Sequence, residues 1–77
     1  MTKLPSVTAR EVIAVAEKIG FTFDRQKGSH AVYVQRTEDG CRTIVIPVHK
    51  GRTLKKGTLH GLICDMGLTT EEFVDLA

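Results

Sequence analysis

Long apolar runs are missing from this sequence: the longest, Val12 to Ala16 and Ile44 to Val48, fall far short of the roughly 20 residues that a membrane-spanning helix needs. The first residues, Met1-Thr2-Lys3-Leu4-Pro5, carry no hydrophobic stretch followed by small residues, so no secretory leader is read and a cytoplasmic protein is expected. Aromatic residues make up only 5% of the chain, too few for a run of base-stacking platforms. The two cysteines, Cys41 and Cys64, form no C-x-x-C pair, and both are expected to be reduced and largely buried. Internal repeats and low-complexity stretches are also missing. At 77 residues the chain is expected to be one domain, residues 1–77. So small a fold buries only about 60% of the surface its unfolded chain exposes, which argues against a deep active-site cavity. What is present, 42% hydrophobic and 26% charged residues, is the composition of a folded chain.

The formal net charge of +2 hides an uneven distribution. Residues 1–64 hold all eleven Lys and Arg against five acids, a formal +6, and residues 65–77 hold four acids and no base, a formal −4. A basic body with an acidic end hints at a polyanionic partner.

Thr8, with Glu11 three residues later, forms a capping-box signature ahead of Val12, Val15, Ala16 and Ile19 at helical spacing. Gly20 stands where a C′ glycine would stop the chain, so a helix is predicted from about Ala9 to Ile19. Phe21 to Asp24 alternates as a strand and leads into a polar turn, Arg25 to Ser29. His30 to Arg36 and Arg42 to His49 read as two further strands. Leu59, Leu62, Ile63 and Met66 form the buried stripe of a second helix, capped by Thr53 or slightly later and ended by Gly67. Thr69 with Glu72 is a second capping box, opening a short last helix through Phe73, Val74 and Leu76. The order α-β-β-β-α-α predicts an α+β two-layer sandwich, a three-stranded antiparallel sheet with helices on one face.

The register of the last two strands is argued from their faces. A three-residue Glu38-Asp39-Gly40 loop, with Gly40 left-handed in a bulge, pairs Val34 with Ile44 and Val32 with Ile46 on one apolar face. Ala31, Tyr33, Thr43 and Val45 then fall on the opposite face. The same register sets His30 opposite Val48, beside His49, at the unfavourable expense of Arg36 facing Arg42.

Gly28-Ser29-His30 is the most suggestive tripeptide. It places an imidazole, which titrates near neutrality, beside a hydroxyl and the cations Arg25 and Lys27, a setting for taking a proton from a hydroxyl and attracting a phosphate. Most histidines at strand ends only pack or hydrogen-bond, so the tripeptide alone is a weak signal. Lys50, Arg52, Lys55 and Lys56 place four cations in seven residues ahead of a helix, where free N–H groups also favour anions. Their bland alternative is a solvated loop; their proximity to His30 and His49 favours phosphate contact. Gly57 is unfavourable within a helix and can permit close approach by a ligand. His60 and Cys64, four apart on one helix, could share a zinc ion with His49 or His30. Against this, Cys64 falls on or near the buried stripe and no second close pair exists, so no metal and no cofactor are expected. Tyr33, on the open face in this register, could stack on a base, but packing is the simpler role. Arg10 and Lys18 read as a solvated helix face.

Taken in order, Lys3-Leu4-Pro5, Gly20-Phe21, Gln26-Lys27-Gly28-Ser29-His30, Ile46-Pro47-Val48-His49, Leu54-Lys55-Lys56-Gly57-Thr58-Leu59 and Glu71-Glu72-Phe73 resemble the HicA-type toxins, the ribonuclease half of HicA–HicB toxin–antitoxin pairs. The resemblance implies a double-stranded-RNA-binding-like fold and mRNA cleavage without a metal. It also implies that the histidine of the Gly-Ser-His motif, His30 here, is catalytic, and that a HicB-like antitoxin covers the His30 corner. Family members often carry proline before the glycine that follows Leu-Lys; Lys56 stands there in this chain and adds charge. On this reading His30 deprotonates a ribose 2′-OH, while Lys27, Gly28, Ser29, Lys50, Arg52, Lys55 and Lys56 hold phosphate and His49 is a candidate proton donor. The rival from another class is a non-catalytic RNA-binding module of the same fold.

Overall fold

The computed structural model describes residues 6–49 and 52–77. Lys3, Leu4, Pro5 and Lys50 lie outside them.

Thr8 and Thr69, the two predicted capping residues, start the first and last helices, but only Thr69 forms the full reciprocal box. Thr8 Oγ1 accepts the Glu11 amide at 3.4 Å to open α1 (Ala9–Lys18), which buries Val12, Val15 and Ala16 and ends one residue earlier than predicted. Beyond it, Gly20 takes φ +103° and the Phe21 amide returns to the Ala16 carbonyl at 3.0 Å, so the glycine turns the chain directly into the sheet. Thr69 caps α3 (Thr70–Leu76) reciprocally: its amide donates to Glu72 Oε1 at 2.9 Å and its hydroxyl accepts the Glu72 amide at 3.1 Å.

The middle helix, α2 (Lys56–Asp65), starts slightly after Thr53, the later of the two expected places. Its N-cap is Lys55, with no side-chain cap, and Thr53 is instead paired in an isolated bridge with Thr8. The Leu54 amide, donating to the Val7 carbonyl at 2.8 Å, ties the same segment to the chain entering α1. With their backbone groups engaged in extended pairing, Thr53 and Leu54 cannot join the helix.

The sheet is β1 (Thr22–Lys27), β2 (His30–Thr37) and β3 (Gly40–Pro47), antiparallel in that order. β1 runs three residues past Asp24, so the polar stretch predicted as a turn is mostly strand and the turn is Gly28-Ser29 alone. A bulge lies between Phe23 and Arg25.

The register of β2 against β3 differs from prediction by one residue. Thr37 pairs with Gly40 around a two-residue Glu38-Asp39 loop, so Tyr33 faces Ile44, Ala31 faces Ile46, Val34 faces Thr43 and His30 faces Pro47 rather than Val48. A one-residue slip exchanges the faces of a whole strand. Ala31 and Tyr33, not Val32 and Val34, therefore join Ile44 and Ile46 in the core cluster with Phe21, Leu59, Ile63 and Phe73, and Val32 is buried on the opposite face of the sheet. Thr43 and Val45 remain outward as predicted. The slip also removes the Arg36–Arg42 clash: Arg36 faces Cys41, and Arg42 faces Gln35 on the helix side. There Arg42 donates to the Met66 carbonyl at 3.2 Å, where α2 ends, and a cation suits the negative end of a helix. Two strand-end arginines on opposite faces are favoured over two in register.

Both cysteines are exposed, contrary to expectation. Cys64 lies beside the Leu59, Leu62, Ile63 and Met66 stripe rather than on it, and Cys41 lies outward opposite Arg36. Among the described residues no polar or charged side chain is buried, and no helix is long and apolar enough to cross a membrane.

Candidate nucleic-acid interface

The Gly28-Ser29 turn joins Lys27 to His30, which are register partners. Gly28 takes φ +56° and Ser29 has no positive φ, the pattern of a II′ hairpin turn, whose first position favours glycine. Gln26 Nε2 donates to the Gly28 carbonyl at 3.0 Å and braces the turn. On the other side, the Val48 amide donates to the Ser29 carbonyl at 2.6 Å, extending the β2–β3 ladder one step past His30 and Pro47. His30 is thus fixed between two neighbouring strands while remaining exposed.

Strand alternation sets the chemistry of its face. Ala31 and Tyr33 point into the core, so His30 and its partner Lys27 fall on the outward face, away from the helices. Arg25, facing Val32, follows on the same face, and Arg36 lies farther along it. Arg25 pairs with Asp24; among the described residues Lys27, Arg36, Arg52, Lys55 and Lys56 make no ion pair. Arg25 was expected beside His30, though in a turn rather than on this face, and Arg36 was not among the predicted site residues. The signal was available as period-2 alternation from His30, but it requires the correct register.

Beyond Pro47, β3 gives way to a segment in which the Arg52 amide donates to the His49 carbonyl at 3.1 Å. Pro47, His49, Arg52, Thr53, Lys55 and Thr58 contribute to an open hollow of about 380 Å³. Of the predicted phosphate ligands, Arg52 and Lys55 meet His49 here. Lys56 opens α2 but is not among the residues that line the hollow, and Lys50 lies outside the described residues. Thr58, not among the predicted phosphate ligands, lines the hollow beside them. The first-turn amides of α2 have no side-chain cap, which leaves them to solvent or an anion.

His60 Nδ1 lies 4.0 Å from Cys64 Sγ on α2, the i,i+4 pair weighed as metal ligands. Neither His30 nor His49 joins them, and among the described residues no three His, Cys, Asp or Glu side chains come together. Tyr33 is withdrawn as a stacking residue. It is 7% exposed in the core, edge-on to the half-exposed Phe23 with ring centroids 5.6 Å apart.

A three-stranded sheet with helices on one face, and a histidine-bearing turn beside a cationic hollow at one end, defines a small α+β domain whose exposed chemistry suits a polyanion. The chain belongs to the HicA toxin family: the family model for the HicA toxin of bacterial toxin–antitoxin systems matches residues 9–68. The protein is accordingly a toxin of a toxin–antitoxin system, and the matched span contains the turn, His30 and every residue of the hollow. No curated protein matches the chain.

Proposed function

We propose that this toxin is an endoribonuclease that cleaves mRNA in the cytoplasm, blocks translation and is neutralised by a HicB-like antitoxin. The observation that carries the reading is the position of His30: exposed at a rigid turn, paired with Lys27, and one strand away from the hollow that holds His49, Arg52 and Lys55. A surface site of this kind suits a polymer laid across the sheet. Ribose also supplies its own nucleophile.

In the reaction His30 takes the proton of a 2′-OH, and that oxygen attacks the adjacent phosphorus. The P–O2′ bond forms as the P–O5′ bond breaks, leaving a 2′,3′-cyclic phosphate on one fragment. The departing 5′ oxygen takes up a proton, for which His49 is the nearest candidate donor by sequence and register. Lys27 and the Ser29 hydroxyl stabilise the charge gathering on the phosphoryl oxygens. DNA lacks the nucleophile and stays intact.

The test is induction of wild-type and His30→Ala chains in cells, following growth and total mRNA. Arrest with mRNA decay in the wild type alone supports the proposal; equal growth and intact mRNA in both would contradict it. A purified wild type that binds RNA and never cuts it would establish the non-catalytic module instead.

A further inference from the structure

The hollow starts at Pro47, the residue that faces His30, and runs from there past His49 to the first turn of α2. His30 faces Pro47, and His49 is two residues farther, a step of at most about 7 Å. That step is comparable to the spacing of neighbouring phosphates along an extended single strand. The residues at the two ends of the step are also different. Lys27 and Ser29 accompany His30 at the turn, whereas Arg52, Lys55 and Thr58 accompany His49 in the hollow. About 380 Å³ is at the small end of ligand-site volumes, enough for one small polar group and too little for a folded element. Pro47 and Leu54 supply its apolar wall, and every polar side chain that lines it is a donor or can donate: a guanidinium, an ammonium, two hydroxyls and an imidazole. No acid is among the residues that line it.

We infer that this hollow is a subsite for one phosphate of the RNA strand, the neighbour of the phosphate that is cleaved. The inference rests on the ribonuclease reading for its substrate and adds a requirement. Efficient cleavage needs a second negative charge next to the scissile linkage, held by Arg52 and Lys55. A dinucleotide with a single phosphate is a poor substrate even though it contains the bond to be broken. The hollow then aligns the strand so that the 2′-OH meets His30, a positioning role that cations at this distance can fill without touching the reacting atoms.

The experiment uses a short RNA that the wild type cuts at one bond, and the same RNA with a neutral methylphosphonate at the linkage on either side of that bond, one side at a time. Neutralising one of the two neighbours should lower kcat/KM about tenfold to a hundredfold, the loss of a charge-assisted contact. Its position assigns the direction of the strand. In the Arg52→Ala/Lys55→Ala double variant the charged RNA should be cut as slowly as the neutralised one, and neutralisation should change the rate by less than about twofold. Because the substitution on the RNA is read with the wild-type protein, the result does not depend on the variant's stability. No effect from neutralising either neighbour would overturn the inference, as would an undiminished effect in the double variant. If no RNA is cut, the ribonuclease reading fails by itself. Equilibrium binding of the same strands then decides the subsite: weaker binding on neutralising one linkage supports it, and equal binding overturns it.

Discussion

The Ser29 carbonyl accepts the Val48 amide at 2.6 Å, and this bond joins the turn that presents His30 to the segment that carries His49. It continues the ladder beyond the last pair of the sheet, so the His30 turn and the entrance to the cationic hollow move as one piece. Gly28 makes the arrangement possible, since its φ of +56° is in the region that other residues enter at a penalty. Replacing Gly28 with alanine should lower stability by about 1 kcal/mol and cleavage by more than that loss explains. The check is thermal unfolding alongside RNA cleavage under conditions where both proteins are fully folded.

Arg42 and Gly67 form a second dependent pair, remote from His30. The guanidinium of Arg42 reaches the Met66 carbonyl, and a β-carbon built on Gly67, whose φ is +77°, would run into that guanidinium. Arg42→Ala should cost about 1–2 kcal/mol and leave RNA cleavage unchanged. Gly67→Ala should cost a similar amount and displace Arg42. The two together should therefore destabilise by less than their sum, measured by urea unfolding in a double-mutant cycle. Additive losses would show that the two do not share the contact.

Tyr33 provides a pH test of the observed register. Burial, with the charge of Glu17 second, raises its phenol above the ordinary 10.0. The unfolded chain keeps the ordinary value, so the native state holds the proton more tightly. This contribution is fully present below that value and is lost as pH rises through the folded one. Above about pH 10 the urea midpoint should fall in the wild type and fall less in Tyr33→Phe. Equal slopes would place the phenol in solvent, as the one-residue-shifted register had it.

The same register predicts which valines and isoleucines matter. Ile46→Ala, at a fully buried position, should cost about 2–5 kcal/mol. Val45→Ala, at 46% exposure, should stay within about 0.5 kcal/mol. Chemical unfolding of the two variants is sufficient to compare them.

The helices were legible in the sequence because each has a local signal: Thr8 with Glu11, Thr69 with Glu72, and glycines at 20 and 67. The order of strands and the single helical face followed from periodicity. The pairing of β2 with β3 did not, because the choice between Val32 with Val34 and Ala31 with Tyr33 depends on what the helices require of the opposite face. Hydrophobicity favours the valines; the volume of Tyr33 and the separation of Arg36 from Arg42 favour the observed arrangement. The start of α2 falls at the later of the two expected places, since Thr53 is a good cap but is drawn into a bridge with Thr8, 45 residues away in sequence. Within the candidate site, Gly28-Ser29-His30 stood out by residue type alone. The meeting of His49 with Arg52, Lys55 and Thr58 depends on how α2 docks beside β3, which no local pattern records.

The most direct test of the account is cleavage of RNA by the purified protein in the presence of a metal chelator, with wild type and His30→Ala compared at equal folded concentration. The wild type should cut RNA, leave DNA of the same sequence intact and keep its activity in chelator. His30→Ala should lose about a hundredfold to ten-thousandfold in rate while binding RNA as before. Cleavage by His30→Ala at the wild-type rate, or wild-type activity abolished by the chelator, would contradict it.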